Sequence, residues 1–301
     1  MEKLPEEKVL YVDKKQAFVN EGEVFDLFLE TQAVNKDLAV AQFSAAVEIT
    51  PSKAGRPAFF VVDADAHAGS LYTRYERIKH KLEYVRRNPD FYLIIGGDTV
   101  DIFNANLGRA SQGVYSNPLP PSAQIAYMQA LYHDLDKEGK LLCYVTGNHE
   151  RFVSAAGLSF EDSFLKDFSC PIFDGAGVLT VKYGYETYTL VIAHRFTGNS
   201  QKNPCNAAKN LMDRLCSKAD ASIVCHTHNK AVEAGNRGGE PRVFIVGGTE
   251  KLDDPYGLRQ GYGKAVEGGA SIMVWPDEHL LTPFSSLREV TKLLSLSGEA
   301  G

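Results

Sequence analysis

Five short motifs, separated by tens of residues, carry side chains that could bind metal ions. In chain order they are Asp65-Ala66-His67, Gly97-Asp98-Thr99-Val100-Asp101, Gly147-Asn148-His149-Glu150, the single His194, and His226-Thr227-His228. Carboxylates and imidazoles are ligands for manganese, iron and zinc. Two such ions held together can hydrolyse phosphate esters, because they stabilise both the attacking and the leaving oxygen. The series therefore indicates metal-assisted phosphate-ester hydrolysis, provided that the fold brings the motifs together.

Every motif follows an apolar segment that we interpret as a strand or its end. These segments are 59–62, 91–95, 141–145, 191–192 and 223–224. In open α/β sheets, ligands bind outside the carboxyl ends of the strands. One crevice could therefore collect all five motifs, and motifs scattered by chance would not all fall at strand ends.

The elements between the motifs indicate a mixed α/β layered architecture. Between the first two strands, apolar residues recur at helical spacing at Tyr75, Ile78, Leu82 and Val85. A strand–helix–strand unit of this kind implies parallel pairing. The later patterns predict a helix around 125–135, a strand at 141–145, a hairpin over 178–193, a helix around 207–216, strands at 221–225, 243–246 and 271–275, and a helix at about 286–296.

Residues 1–55 differ from the rest and are predicted to form an N-terminal extension. The pattern there fits two short helices, at 23–31 and 35–47, followed by a linker at 51–57. Such a pair could read nucleic acid as a helix-turn-helix, but the acidic composition favours a structural appendage. The main domain is predicted over 56–296, and residues 297–301 are predicted to be a frayed tail.

The composition is typical of a globular protein, with 301 residues, 44% hydrophobic residues, 23% charged residues and a net charge of −6. No apolar segment approaches the ~20 residues that span a bilayer, and the charged N-terminus has no signal-peptide core. We therefore expect a cytoplasmic protein that does not enter a membrane. The five cysteines have no C-x-x-C spacing and are expected to be free thiols. The acidic charge argues mildly against a processive nuclease, which usually shows a basic face.

The order D-x-H, G-D-x-x-D, G-N-H-E, H and H-x-H resembles the calcineurin-like metallophosphoesterase superfamily. The resemblance covers roughly residues 59–228 and includes all five family motifs in order. Cys225 stands where the family often has glycine, at a position that supplies backbone room and no ligand. The resemblance implies an α/β fold, a layered α-β-β-α sandwich of two mixed sheets flanked by helices.

The same resemblance implies two divalent metal ions and a division of the ligands between them. One ion would be bound by Asp65, His67 and His228, and the other by Asn148, His194 and His226. Asp98 would bridge both ions, as a carboxylate can when two dications lie ~3.5–4 Å apart. Manganese is the expected metal, with iron or zinc as alternatives.

His149 is expected to act on the substrate and not on the metals. In the family, the histidine of G-N-H faces the scissile phosphate and assists the leaving oxygen, and the Asp101 carboxylate would orient its ring. Glu150 is interpreted as a supporting or helix-start charge. Asp63 is either a rival to Asp65 in the first motif or a supporting carboxylate.

Two basic features outside the motifs could contact a substrate. Arg195 and Asn199, in the polar loop after His194, could bind the phosphate or the leaving group, and a solvated loop is an equally good interpretation. The basic face of the helix at 74–87 could contact a nucleic-acid backbone, but a solvated amphipathic helix explains it better. The remaining histidines, His80, His133 and His279, are expected on helix or loop surfaces.

The leading hypothesis is a metal-dependent phosphoesterase that hydrolyses a phosphomono- or phosphodiester by attack of a metal-bridging hydroxide, with help from His149. Its substrate would be a phosphoester, with nucleotides and nucleic-acid ends among the alternatives. A nuclease acting on DNA or RNA ends is therefore one alternative function. A non-catalytic scaffold on the same fold is the other, and the intact His149 and ligand set argue against it.

Overall fold

The computed structural model describes residues 43–102, 117–155, 160–200, 202–259 and 264–296, together with Asp26, Leu29 and Glu30. The chain divides into two compact units, Met1–Ala41 and Gln42–Gly301. The three described residues of the first unit are helical and belong to the helix predicted at 23–31. The rest of the predicted two-helix extension up to residue 42, its nucleic-acid-reading alternative, and the predicted tail at 297–301 lie outside the described residues.

The described residues of the second unit form twelve strands, six α-helices and one π-helical turn. The strands are β1 (Ser44–Ile49), β2 (Ala58–Asp63), β3 (Phe91–Ile95), β4 (Leu141–Val145), β5 (Ile172–Phe173), β6 (Ala176–Tyr183), β7 (Glu186–Ala193), β8 (Ala221–Val224), β9 (Lys230–Arg237), β10 (Glu240–Gly247), β11 (Ser271–Val274) and β12 (Leu281–Phe284). The α-helices are α1 (Tyr75–Arg87), α2 (Pro121–Lys137), α3 (Asn148–Ala155), α4 (Asn206–Leu215), α5 (Pro255–Arg259) and α6 (Leu287–Leu296). One turn of π-helix covers Glu161–Leu165.

The strands form two mixed sheets of six strands each within the described residues. The first sheet has the order β1-β6-β7-β8-β10-β9, and the second has the order β12-β11-β2-β3-β4-β5. In the second sheet, β2, β3 and β4 run parallel to one another. In the first sheet, β7 and β8 run parallel. Parallel strands end on the same side, so each sheet presents its motif-bearing ends along one edge.

The hydrophobic cores show how the sheets and helices are layered. Phe59 and Val61 of β2 point into a core shared with α1 and α2. Phe60 and Val62 point into a second core, between the two sheets. Helix α4 covers the opposite face of the first sheet through a third core. The order of layers is therefore α-β-β-α, as the resemblance implied, and the double burial of the central strands explains their continuous apolar segments.

The edge strands are the ones that the sequence patterns did not predict. They are β1, β5, β9 and β12. The helix predicted at 35–47 is wrong in its last residues, because Ser44–Ile49 form β1 and pair in parallel with β6. This strand precedes the domain boundary predicted at residue 55 and belongs to the second compact unit. Its residues are exposed or half-buried throughout, so it lacks the apolar segment that identified the central strands.

The predicted hairpin is confirmed, with β6 and β7 antiparallel and Gly184 at a φ of 63° in the turn that joins them. None of the described helices combines the length and the apolar composition needed to cross a bilayer.

Candidate dinuclear metal site

The motifs come together at the carboxyl ends of strands from both sheets. After β2, β3 and β4 of the second sheet come Asp65 and His67, Asp98, and Asn148, respectively. After β7 and β8 of the first sheet come His194, and His226 with His228. Both sheets thus contribute side chains to one site.

The backbone at these strand ends has an uncommon conformation. Among the described residues, the non-glycine positions with positive φ are Asp65, His67, Asp98, His226 and His228, with φ values of 52°, 49°, 50°, 70° and 57°. All five are among the predicted metal ligands. The left-handed region is uncommon outside glycine, and residues held there cluster at functional sites. The backbone conformation therefore marks five of the seven predicted metal ligands.

The first cluster consists of Asp65, His67 and His228, whose ligand atoms lie within 4.8 Å of one another. His67 Nε2 lies 2.9 Å from His228 Nε2 and 3.8 Å from Asp65 Oδ1. The other ring nitrogen of His67, Nδ1, lies 2.8 Å from Asp101 Oδ1. When the Nδ1–H group donates a hydrogen bond to that carboxylate, the lone pair of Nε2 is directed into the cluster.

The second cluster consists of Asp98, His194 and His226, whose ligand atoms also lie within 4.8 Å of one another. His194 Nε2 lies 3.2 Å from His226 Nδ1 and 3.2 Å from Asn148 Oδ1. His194 Nδ1 lies 2.8 Å from the carbonyl oxygen of Gly96. A backbone carbonyl therefore orients this ring, as the Asp101 carboxylate orients His67.

Asp98 lies between the two clusters. Its Oδ2 is 3.2 Å from His194 Nε2 and 3.9 Å from His67 Nε2. Its Oδ1 accepts the backbone N–H of His149 at 2.8 Å. One carboxylate thus reaches histidines of both clusters, which is the position that a bridge between two ions requires.

The residues present fit divalent cations. Asp65 Oδ2 accepts the backbone N–H of His226 at 2.9 Å, whereas Asp65 Oδ1 is buried without a hydrogen-bond partner. A buried carboxylate oxygen is costly unless a donor or a cation meets it. The donor set of imidazole nitrogens, carboxylate oxygens and one amide oxygen suits manganese, iron or zinc.

The pKa values of three histidines in the clusters shift in opposite directions. Burial lowers the pKa of His67, but the hydrogen bond with Asp101 outweighs burial and raises this pKa to about 9. Burial likewise lowers the pKa of His194, but the Asp98 carboxylate raises it to about 10. Burial and the charge of His194 lower the pKa of His226 to about 4. Because a histidine must be neutral to bind a metal, ions would displace protons from His67 and His194.

His149 lies beside the first cluster, with its ring edge-on to His67 at a centroid distance of 4.6 Å. Its Nδ1 lies 2.5 Å from the carbonyl oxygen of Asp101 and 3.8 Å from Asp101 Oδ1. The short contact that orients His149 therefore comes from the backbone carbonyl of Asp101 and not, as predicted from the sequence, from the Asp101 carboxylate. That carboxylate holds His67 instead. Burial lowers the pKa of His149 below its ordinary value.

Glu150 is buried and joins two of the motifs. Its carboxylate accepts the backbone N–H groups of Gly147 and Asp98 at 2.9 and 3.0 Å. It also accepts the backbone N–H of Thr99 at 2.8 Å and the hydroxyl of Tyr144 at 2.9 Å. Gly147 permits this approach, because a Cβ there would collide with Asp98 Oδ1. Glu150 therefore holds the loop that carries Asp98, in agreement with the predicted supporting role.

Asp63 contacts helices α1 and α2 and not the clusters. Its Oδ1 lies 2.5 Å from Lys81 Nζ, and its Oδ2 accepts the hydroxyl of Tyr132 at 2.9 Å. Lys81 Nζ also donates to Glu250 Oε1 at 2.7 Å. Asp65, and not Asp63, thus supplies the carboxylate of the first cluster.

Residues Thr249 and Lys251, which follow β10, support the first cluster without belonging to any motif. Thr249 Oγ1 donates to the carbonyl oxygen of Asp65 at 2.7 Å. Lys251 Nζ lies 3.3 Å from Asp101 Oδ1. Neither residue was predicted. The one available signal is their position after β10, which lies next to β8 in the sheet.

Arg195 and Asn199 are exposed on the loop after His194. The charge of Arg195 contributes to the lowered pKa of His226, whose largest cause is burial, so Arg195 lies near the second cluster. Among the described contacts, none joins Asn199 to either cluster.

The backbone room near Cys225 comes from glycines opposite its side chain. A Cβ on Gly247 would come within 3.0 Å of the Cys225 sulfur, and a Cβ on Gly96 would collide with it. The glycine that the family often has at position 225 is therefore not needed here. All five cysteines are free thiols.

Comparison with known proteins finds similarity in solved structures. No family model and no curated protein sequence matches the chain. The calcineurin-like phosphoesterase YfkN from Bacillus subtilis is 13% identical, with a TM-score of 0.40 over 81% of this chain and 97% of that chain. The nuclease MPE from Pseudomonas putida is 13% identical, with a TM-score of 0.33 over 75% and 87% of the two chains. Vacuolar Protein Sorting 29 from Cryptosporidium parvum is 11% identical, with a TM-score of 0.38 over 76% and 99%.

The motifs and the fold point in the same direction. The five motifs keep the family order, and they lie at the ends of strands from two mixed six-stranded sheets. In its motifs and its layered sheets, the chain resembles the calcineurin-like phosphoesterases.

Proposed function

We propose that the chain is a dinuclear metal-dependent phosphoesterase, with manganese as the first candidate metal, that hydrolyses a phosphomono- or phosphodiester. The observation that carries this proposal is the position of Asp98, whose Oδ2 lies 3.2 Å from His194 Nε2 and 3.9 Å from His67 Nε2. A site for one ion does not need a carboxylate in contact with two histidine clusters. In a site for two ions, a carboxylate in this position can bind both of them.

Seven side chains would hold the two ions. They are Asp65, His67 and His228 at the first position, Asn148, His194 and His226 at the second, and Asp98 between them. When bound, the two ions polarise the phosphate oxygens, acidify an attacking water and offset the charge of the transition state. The chain itself orients the histidines, through the Asp101 carboxylate for His67 and the Gly96 carbonyl for His194.

We assign His149 to the leaving group. Its Nδ1 is held by the carbonyl oxygen of Asp101 at 2.5 Å, so Nε2 is the atom that can exchange a proton with the substrate. This Nε2 lies 3.9 Å from Oδ2 of Asp98, the carboxylate that lies between the two clusters. Burial lowers the pKa of His149, but a phosphate anion beside Nε2 would raise it again. Substrate binding would therefore favour the protonated ring, which can donate to the leaving oxygen.

Arg195 is our candidate for substrate binding at the mouth of the site. It directly follows His194 and is exposed, and a guanidinium pairs well with phosphate oxygens. Asn199, on the same loop, is the proposed contact of the leaving group.

Parallel assays with manganese would test this function. The substrates are a generic phosphomonoester, a generic phosphodiester, cyclic nucleotides, and single- and double-stranded DNA. We expect turnover of at least one substrate with manganese and none after chelation. Cleavage of DNA without turnover of the small esters would identify a nuclease. Two bound ions with no turnover of any substrate would favour the scaffold alternative, and a protein that binds no metal would contradict the dinuclear site.

A further inference from the structure

A buried lysine outside the five motifs contacts the carboxylate that supports the first cluster. Lys251 is 5% exposed, and its Nζ lies 3.3 Å from Asp101 Oδ1 and 2.8 Å from Asp254 Oδ2. The same oxygen of Asp101 lies 2.8 Å from His67 Nδ1. The three side chains therefore form a line of contacts, Lys251–Asp101–His67, that ends at a proposed metal ligand.

The backbone holds Lys251 in this place. Its N–H donates to Thr249 Oγ1 at 2.9 Å, and that hydroxyl donates to the carbonyl oxygen of Asp65 at 2.7 Å. Lys251 also pairs with Thr73 in an isolated antiparallel bridge. Thr73 Oγ1 in turn donates to the carbonyl oxygen of His67 at 2.6 Å. Both ends of the first motif are thus tied to the segment that carries Lys251.

The Asp101 carboxylate depends on few contacts for its orientation. Its Oδ2 is buried without a hydrogen-bond partner, so the contacts of Oδ1 with His67 and Lys251 hold the group. A buried carboxylate needs a paired cation, because desolvation is otherwise uncompensated. Lys251 supplies that cation, with its Nζ 3.3 Å from Asp101 Oδ1.

We propose that Lys251 is a positioning residue for the first metal position and acts through Asp101 on His67. Losing the partner of a metal-binding histidine typically costs about 10- to 100-fold in metal affinity. The inference rests on the proposed function only in taking His67 as a metal ligand. It adds a residue that no motif contains.

A second buried lysine provides a matched control. Lys81 is 6% exposed and also contacts two carboxylates, Asp63 at 2.5 Å and Glu250 at 2.7 Å. Neither carboxylate belongs to a cluster. Loss of the Lys81 charge therefore disturbs a comparable buried network without touching the partner of a ligand.

Manganese titration of Lys251→Met, Lys251→Arg and Lys81→Met tests the proposal. Because Lys251 acts through Asp101 and is not itself the partner of His67, we expect Lys251→Met to weaken one of the two binding steps by about tenfold, the lower end of that range, and to leave the other unchanged. Lys251→Arg should restore the affinity, because it keeps a charged donor. Lys251→Gln, which keeps a donor without the charge, replaces the methionine variant if that variant does not fold, and it should weaken the same step. Equal affinities in the original chain and the uncharged variants, or the same loss in Lys81→Met, would overturn the proposal.

Proton NMR of the metal-free protein gives a second readout that does not depend on function. The His67 Nδ1 proton, hydrogen-bonded to Asp101, should give a downfield signal that exchanges slowly with water. We expect the signal to persist in Lys251→Arg and Lys81→Met and to exchange faster or disappear in Lys251→Met. If the original chain binds no manganese, the phosphoesterase proposal fails. In that case an unchanged NMR signal in Lys251→Met would show separately that Lys251 does not position His67.

Discussion

The two proposed metal positions are supported in different ways. At the first position, His67 Nδ1 contacts a side chain, the Asp101 carboxylate, at 2.8 Å. At the second, His194 Nδ1 contacts the backbone carbonyl of Gly96, also at 2.8 Å. A mutation can remove a carboxylate but not a backbone carbonyl. The orientation of His67 can therefore be changed by mutating a side chain that is not itself a proposed ligand, whereas the orientation of His194 depends on the backbone at the end of β3.

Asp98→Asn should have the largest effect, because Asp98 belongs to both positions. We expect the metal content to fall from close to two ions per chain to less than one, and turnover to fall by about 10³-fold or more, since several kcal/mol of transition-state stabilisation are lost. Elemental analysis and steady-state kinetics measure the two effects. Asp63→Asn is the control, because Asp63 is buried but contacts Lys81. It should keep both ions, and two ions retained by Asp98→Asn would exclude Asp98 as a bridge.

His149→Ala should lower turnover without affecting metal binding at either position. The ring is held by the Asp101 carbonyl and is not one of the seven proposed ligands. We expect unchanged metal content and a turnover lower by about 10²-fold, the usual scale of proton-transfer assistance. His133→Ala, a change on helix α2, is the control and should keep full turnover. Normal turnover in His149→Ala would remove this residue from the mechanism.

The pH dependence of metal binding should distinguish the two positions. Protons compete with metal at His67, with a pKa of about 9, and at His194, with a pKa of about 10. Below each pKa the affinity should rise about tenfold per pH unit, because one proton leaves as the ion binds. The first position should level off near pH 9 and the second near pH 10. Calorimetry in buffers of different ionisation enthalpy would count the released protons, and binding without proton release would contradict the assignment.

Arg195→Ala should have the smallest effect on activity. The change removes a proposed substrate contact next to the second metal position. Arg195 is exposed next to His194, so its loss removes one phosphate contact that solvent weakens. We expect KM to rise by about 3- to 10-fold with little change in kcat, as for an exposed charged contact worth about 1 kcal/mol. Lys202→Ala, an exposed change in the same loop, is the control. Equal KM values in the two variants would argue that Arg195 does not bind the substrate.

The sequence predicted the site residues that belong to recognisable motifs. Asp98 and His149 stand in motifs after apolar strands, and those strands are apolar throughout because both faces are covered. The edge strand Ser44–Ile49 was not recognised, because its residues are at most half-buried. The two roles of Asp101 could not be separated either, since a sequence motif does not say whether a carboxylate or a carbonyl makes a contact.

Contacts between residues far apart in the sequence were not predicted either. Lys251 reaches Asp101 across 150 positions of the chain, and no pattern near Lys251 refers to Asp101. Lys251 follows β10 of the first sheet and Asp101 follows β3 of the second. The packing of the two sheets against each other therefore brings the two segments together.

Each metal position takes ligands from both sheets. At the first, Asp65 and His67 follow β2 of one sheet and His228 follows β8 of the other. Bound ions would therefore act as cross-links between the two sheets. Unlike disulfides, these cross-links could be removed by a chelator. A ligand that binds only the folded state stabilises it. The resistance of this protein to heat or proteolysis would then report the metal supply of its surroundings.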